Sequence, residues 1–169
     1  ELEKSLKQNL ASERFVGYCW ARLAELHAQR KEMELALAAG LKAVEEGITD
    51  PGLLSLCAQL LEQAERFDEA EALLMRLPGG GCGGGVHPLL AEFWLRRDQN
   101  LDQALESFKG AMRQERDNPR WLLRIAQVYL AKGWRKEAAE QVERLMRQGG
   151  LPEQIRSEVK TVADQLQQS

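Results

Sequence analysis

The chain has 169 residues, 44% hydrophobic and 29% charged, with a net charge of −3. That length can bury one sizeable core, and the acidic balance opposes nucleic-acid binding, where phosphate neutralisation supplies most of the affinity. No apolar run approaches the ~20 residues that span a bilayer, so no membrane insertion is expected.

Taken in chain order, residues 1–16 hold Leu2, Leu6 and Leu10 at helical spacing. They predict an N-terminal helix or the remnant of a preceding structural unit. The start is no signal peptide, since acidic and basic residues mix and no apolar stretch follows. It also lacks an initiator Met, which suggests a piece of a longer polypeptide. Thereafter one pattern recurs every 34 residues. Its fixed mark is an alanine, at Ala36, Ala70, Ala104 and Ala138. Seven residues later stand Ala43, Leu77, Ala111 and Leu145, and thirteen residues earlier stand Leu23, Cys57, Ala91 and Ile125. Apolar positions three, four and seven apart make the stripe of an amphipathic helix. A small residue fixed in that stripe marks a close helix crossing. Thirty-four residues make two helices and two short turns at ~1.5 Å rise per residue, and such hairpins bury their apolar faces only by stacking.

The phases are 17–50, 51–84, 85–118 and 119–150. Asp50-Pro51 and Asn118-Pro119 open the second and fourth, each an N-cap followed by proline at the first helical position. The second ends in Gly79-Gly80-Gly81-Cys82-Gly83-Gly84-Gly85, read as a flexible linker. Its Gly79, Gly81 and Gly84 satisfy GxGxxG. A helix precedes them where the dinucleotide fingerprint needs a strand, so no phosphate site is expected. The third phase departs from the pattern with Pro88 and Glu92 in its first helix, which predicts a short or displaced element. Residues 151–169 follow Gly149-Gly150 and carry Ile155, Val159, Val162 and Leu166 on one face, a solvating cap.

Little in the chain suggests chemistry. Cys19, Cys57 and Cys82 show no C-x-x-C spacing, so neither a disulfide framework nor a zinc site is expected, and a reducing, cytoplasmic setting is favoured. Cys57 reads as a small buried hydrophobe and Cys82 as exposed. The two histidines, His27 and His87, have no nucleophile-and-carboxylate context. Trp94, Trp121 and Trp134 read as packing residues. No catalytic residue, metal or cofactor is expected.

The pattern resembles the tetratricopeptide repeat. The family's small position 8 is Ala24, Ala58, Glu92 and Ala126; its position 20 is the alanine series; and its position 15, often glycine, is met only by Gly133. His27 lies at a position where the family often has Tyr, on the packing face. The resemblance covers residues 17–150 and implies an all-α, right-handed superhelix of four helical hairpins with a C-terminal capping helix. It also implies a concave surface lined by the first helix of each repeat.

Its registers hold Tyr18, Glu25, Gln59 and Glu62 in the N-terminal half. In the C-terminal half they hold Val86, Leu89, Phe93, Arg96, Arg97, Arg120, Leu123 and Gln127, with Arg124 beside them. Charge divides the same way. Residues 1–84 carry 9 basic and 14 acidic side chains, net −5, whereas residues 85–135 carry 9 and 6, net +3. Apolar residues ringed by arginines suit an acidic-hydrophobic peptide. The family's clamp for a terminal carboxylate is not met, since of its five positions only Arg120 and Arg124 match. The expected function is therefore a protein-interaction scaffold. An RNA-binding helical repeat and an accessory domain of a larger enzyme are the alternatives, the first opposed by the acidic N-terminal half.

Overall fold

The computed structural model describes residues 2–11, 15–79 and 85–168 and, at positions 9–11, the backbone alone. The expected linker at 80–84, Cys82 included, lies outside the described residues. Among the described residues there are ten helices and no strand element. They are α1 (Leu2–Ala11), α2 (Val16–Gln29), α3 (Met33–Glu45), α4 (Pro51–Gln63), α5 (Phe67–Leu74), α6 (Pro88–Arg96), α7 (Leu101–Gln114), α8 (Pro119–Ala131), α9 (Arg135–Gln148) and α10 (Glu153–Gln167). The all-α expectation is met.

Two compact units divide the chain, Glu1–Leu77 and Pro78–Ser169. In the first, α2 pairs with α3 and α4 with α5, while α1 packs on α2 and α3 on α4. In the second, α6 pairs with α7 and α8 with α9, α7 packs on α8, and α10 rests on both α8 and α9. Each pairing buries a stripe that a lone amphipathic helix would leave in water.

The alanine series sits where its spacing requires. Ala36, Ala70, Ala104 and Ala138 are all 0% exposed. Cys57 is buried as well, and burial alone raises its thiol pKa to about 11. It lies against Gly40, where a Cβ would overlap its sulfur. His27 is half-buried and bonds Glu32 Oε2 at 2.5 Å. Trp94 and Trp121 are interior, whereas Trp134 stays 43% exposed, tilted against Tyr129 with the Lys132 ammonium over its ring.

The turns also follow a period. Lys31, Glu65 and Gly133 all take positive φ, at 61°, 58° and 74°. They stand 34 residues, or twice that, apart, at the position where the family often has glycine. Asp98 takes that role one residue early, at φ 56°. The helix starts agree with the Pro signal. Asp50 Oδ1 accepts from the Leu53 amide at 2.9 Å, and Asn118 Oδ1 from the Arg120 amide at 3.1 Å, each with proline at the first helical position.

The third phase has its own version of this start. His87 Nδ1 accepts from the Leu89 amide at 3.2 Å, and Pro88 opens α6. The helix therefore begins three residues into its phase and is nine residues long, against 13 for α4 and for α8. Pro88 is a start signal here. The Val86 carbonyl just before it accepts from the buried Ser107 hydroxyl at 2.7 Å. That bond satisfies a backbone group that would otherwise be lost inside.

Candidate partner-binding face

Within the second unit the expected site residues separate into two groups. Phe93 and Leu123 were expected as groove anchors, and this is corrected: they are 1% and 0% exposed. Leu123 belongs to a core shared with Leu122, Ala126, Val142, Leu145, Val159 and Val162. Interior side chains of this kind hold the fold and offer a partner no surface. The rest lie at or near the surface. Val86 and Leu89 are half-buried, Arg96 is exposed, and Arg97 closes α6. Arg120, Arg124 and Gln127 project from α8.

Three adjoining clefts run along this surface. The first, about 400 Å³, is bounded by His87, Leu89, Glu92, Arg120 and Trp121 among others. The second, about 420 Å³, is lined by Glu92, Leu95, Arg96, Arg124, Gln127 and Glu158. The third, about 520 Å³, lies between α8 and α10 and is lined in part by Gln127, Leu130, Glu158 and Val162. Glu92 is common to the first two, and Gln127 and Glu158 to the last two.

The arginines on this face are paired within the chain. Arg120 donates to Glu92 Oε1 from Nε at 3.0 Å and from Nη2 at 2.6 Å. Arg124 donates to the same oxygen at 3.2 Å, to Gln127 at 2.9 Å and to Glu158 Oε2 at 2.6 Å. One ion chain thus ties α6, α8 and α10 together. Burial opposes the Arg124 charge, but the bonds and attraction of Glu158 and Glu92 outweigh it and raise its pKa above the ordinary value. Arg120 is more open, its side chain 42% exposed against 18% for Arg124, and its guanidinium lies 5.5 Å from the Trp121 ring centre. The chain of Glu92, Arg120, Arg124 and Glu158 carries no net charge. The positive surplus read from residues 85–135 is therefore partly consumed inside the fold.

The turn before α8 is fixed as tightly. Glu115 Oε2 accepts from Asn118 Nδ2 at 2.7 Å and from Trp121 Nε1 at 2.9 Å. Those bonds, with the nearby Arg120 charge, hold its carboxyl below the usual range. Glu158 was not singled out among the candidate residues of this face, although the signal was in the spacing. It stands 34 residues after Arg124, so α10 continues the phase as the first helix of a further repeat. Glu92 was noticed only as a misfit at a small position.

Among the described residues no three His, Cys, Asp or Glu side chains are placed to hold a metal ion, and no helix is long and apolar enough to cross a membrane. Paired helices in a 34-residue period, with small residues at each crossing, define a helical-repeat protein. Residues 95–157, inside the second unit, match the family model of the tetratricopeptide repeat. None of the curated proteins matches the chain. Repeats of this family are typically non-catalytic modules that mediate contacts between proteins.

Proposed function

We propose that this protein is an interaction scaffold whose α6–α8–α10 face receives an acidic, partly apolar segment of another protein. The observation that carries the reading is Arg120. Glu92 holds it in place, it stays 42% exposed, and it lines a cleft together with Leu89, Pro88 and Trp121. An oriented guanidinium beside apolar surface recognises a carboxylate next to a hydrophobic side chain. The half-buried Leu89 thus takes the anchoring role first assigned to Phe93 and Leu123.

Random peptide display panned on the protein tests this. We expect enrichment of Asp and Glu beside Leu or Phe, and a loss of roughly tenfold in affinity on Arg120→Ala, the scale of one close charge contact. Arg144→Ala, on the exposed side of α9, should change nothing. Peptides without that bias, or equal losses in both variants, would place the binding surface elsewhere.

A further inference from the structure

We propose that Glu158 of the cap helix occupies Arg124 in the place of a partner carboxylate, a built-in competitor that limits the docking of acidic segments. This rests on the docking reading above and adds the residue that sets its strength. Arg124 lines the second cleft, and its Nη1 donates to Glu158 at 2.6 Å. Glu158 lines both the second and the third cleft, so a segment lying along the face passes directly over it. A partner carboxylate arriving there meets a like charge already seated on the guanidinium it would use.

Glu158 and Glu92 are not equivalent in this respect. Glu92 is only 12% exposed and serves two arginines at once, so it belongs to the frame. Glu158 is 29% exposed and, among the described residues, its ion pair is with Arg124. The helix that carries it is held by other means. Val159 and Val162 are 3% and 2% exposed, and Arg135 Nη2 donates to the Leu166 carbonyl at 2.6 Å, at the far end of α10. Removing the Glu158 charge therefore opens Arg124 while leaving α10 seated.

The test compares Glu158→Gln with Glu153→Gln. Both change the net charge by the same amount on the same helix, but Glu153 pairs, among the described residues, with the exposed Arg156. Fluorescence anisotropy at two salt concentrations would use a labelled peptide of Asp and Glu around a central Leu-Phe, and its Asn/Gln counterpart. Glu158→Gln should tighten the acidic peptide roughly 3–10-fold and steepen its salt dependence, as a freed interfacial charge does. The neutral counterpart should not respond, nor should Glu153→Gln. Equal gains in both variants would trace the effect to bulk charge and overturn the proposal. So would wild-type binding that Glu158→Gln leaves unchanged, although the docking reading would survive that result. An acidic peptide that binds no variant overturns both. Thermal melts accompany each variant, and Glu158→Ala gives the same reading should the Gln variant melt early.

Discussion

The two units answer the same 34-residue frame in opposite ways. At one register the first has Gly40 and the second has Phe108. Gly40 lets the Cys57 sulfur approach where a Cβ would overlap it, with Ala24 and Leu53 also near. Phe108 instead fills the space and stacks on Trp121, the ring centres 6.3 Å apart. Among the described residues the first unit has no buried aromatic side chain, whereas the second buries Phe93, Trp94, Phe108 and Trp121. A period fixes where helices cross. It leaves open whether small residues close the gap or large ones fill it.

The largest expected effect comes from emptying the filled version. Phe108→Ala should cost about 3–5 kcal/mol, the usual range for a buried phenylalanine whose neighbours cannot collapse into the cavity. Denaturant melts would measure it, and a loss under about 1 kcal/mol would show that the second unit repacks freely.

A second contrast lies at the small position of the repeat, where Ala24, Ala58 and Ala126 are matched by Glu92. Glu92→Ala installs the residue found in the other three phases, yet it should destabilise by about 2–3 kcal/mol. It strips Arg120 of its partner and leaves the mostly buried Arg124 with Glu158 alone, and an under-compensated buried charge is costly. A neutral or stabilising result would mean that the ion chain contributes nothing beyond its own desolvation cost.

Gly40→Ala reverses the first test by overfilling the tight version. Overpacking costs about 1–3 kcal/mol, partly offset by alanine's better helix propensity of about 1 kcal/mol. We expect a net loss that Cys57→Ala largely rescues, because the sulfur is the atom in the way. Failure of the double variant to recover would point to backbone strain instead.

The framework was legible in the sequence wherever a residue type had one geometric reason. The alanine series marked the crossings, and Asp50-Pro51 and Asn118-Pro119 marked helix starts. His87-Pro88 is the same device, hidden because histidine is an uncommon cap and the pair stands three residues out of phase. The candidate site was less legible. The register placed Arg120 and Arg124 on the right helix, but it could not tell that both are engaged by Glu92. Phe93 and Leu123 illustrate the other limit. A position that faces a groove in one array faces the interior in another, depending on what packs beside it. The turns were read too narrowly, since only Gly133 was noted where Lys31 and Glu65 share its backbone. Glu65→Gly should therefore stabilise by about 0.5–1 kcal/mol, the left-handed penalty removed less the entropy that glycine adds to the unfolded chain. Gly133→Ala should show the opposite sign.

The smallest effect separates the second unit from the first by pH. His87 caps α6 through the lone pair of Nδ1, where Asp50 caps α4 with a carboxylate oxygen. A protonated imidazole has no such lone pair, so the cap exists only in the neutral ring. Burial pushes the His87 pKa below its ordinary 6.5. The unfolded chain therefore binds the proton more readily than the folded one. The contribution is complete above about pH 6.5, declines as pH falls below it, and is gone once pH drops past the lowered folded value. The lowered carboxyl of Glu115 acts in the same direction, but only below its ordinary 4.5, so the two windows are separable. Melts between pH 7 and 5 should show the wild type losing stability while His87→Asn stays level. Asparagine keeps an acceptor at the cap, as Asn118 does for α8, and carries no proton to gain. Parallel pH profiles for the two proteins would show that the α6 cap does not depend on the imidazole lone pair.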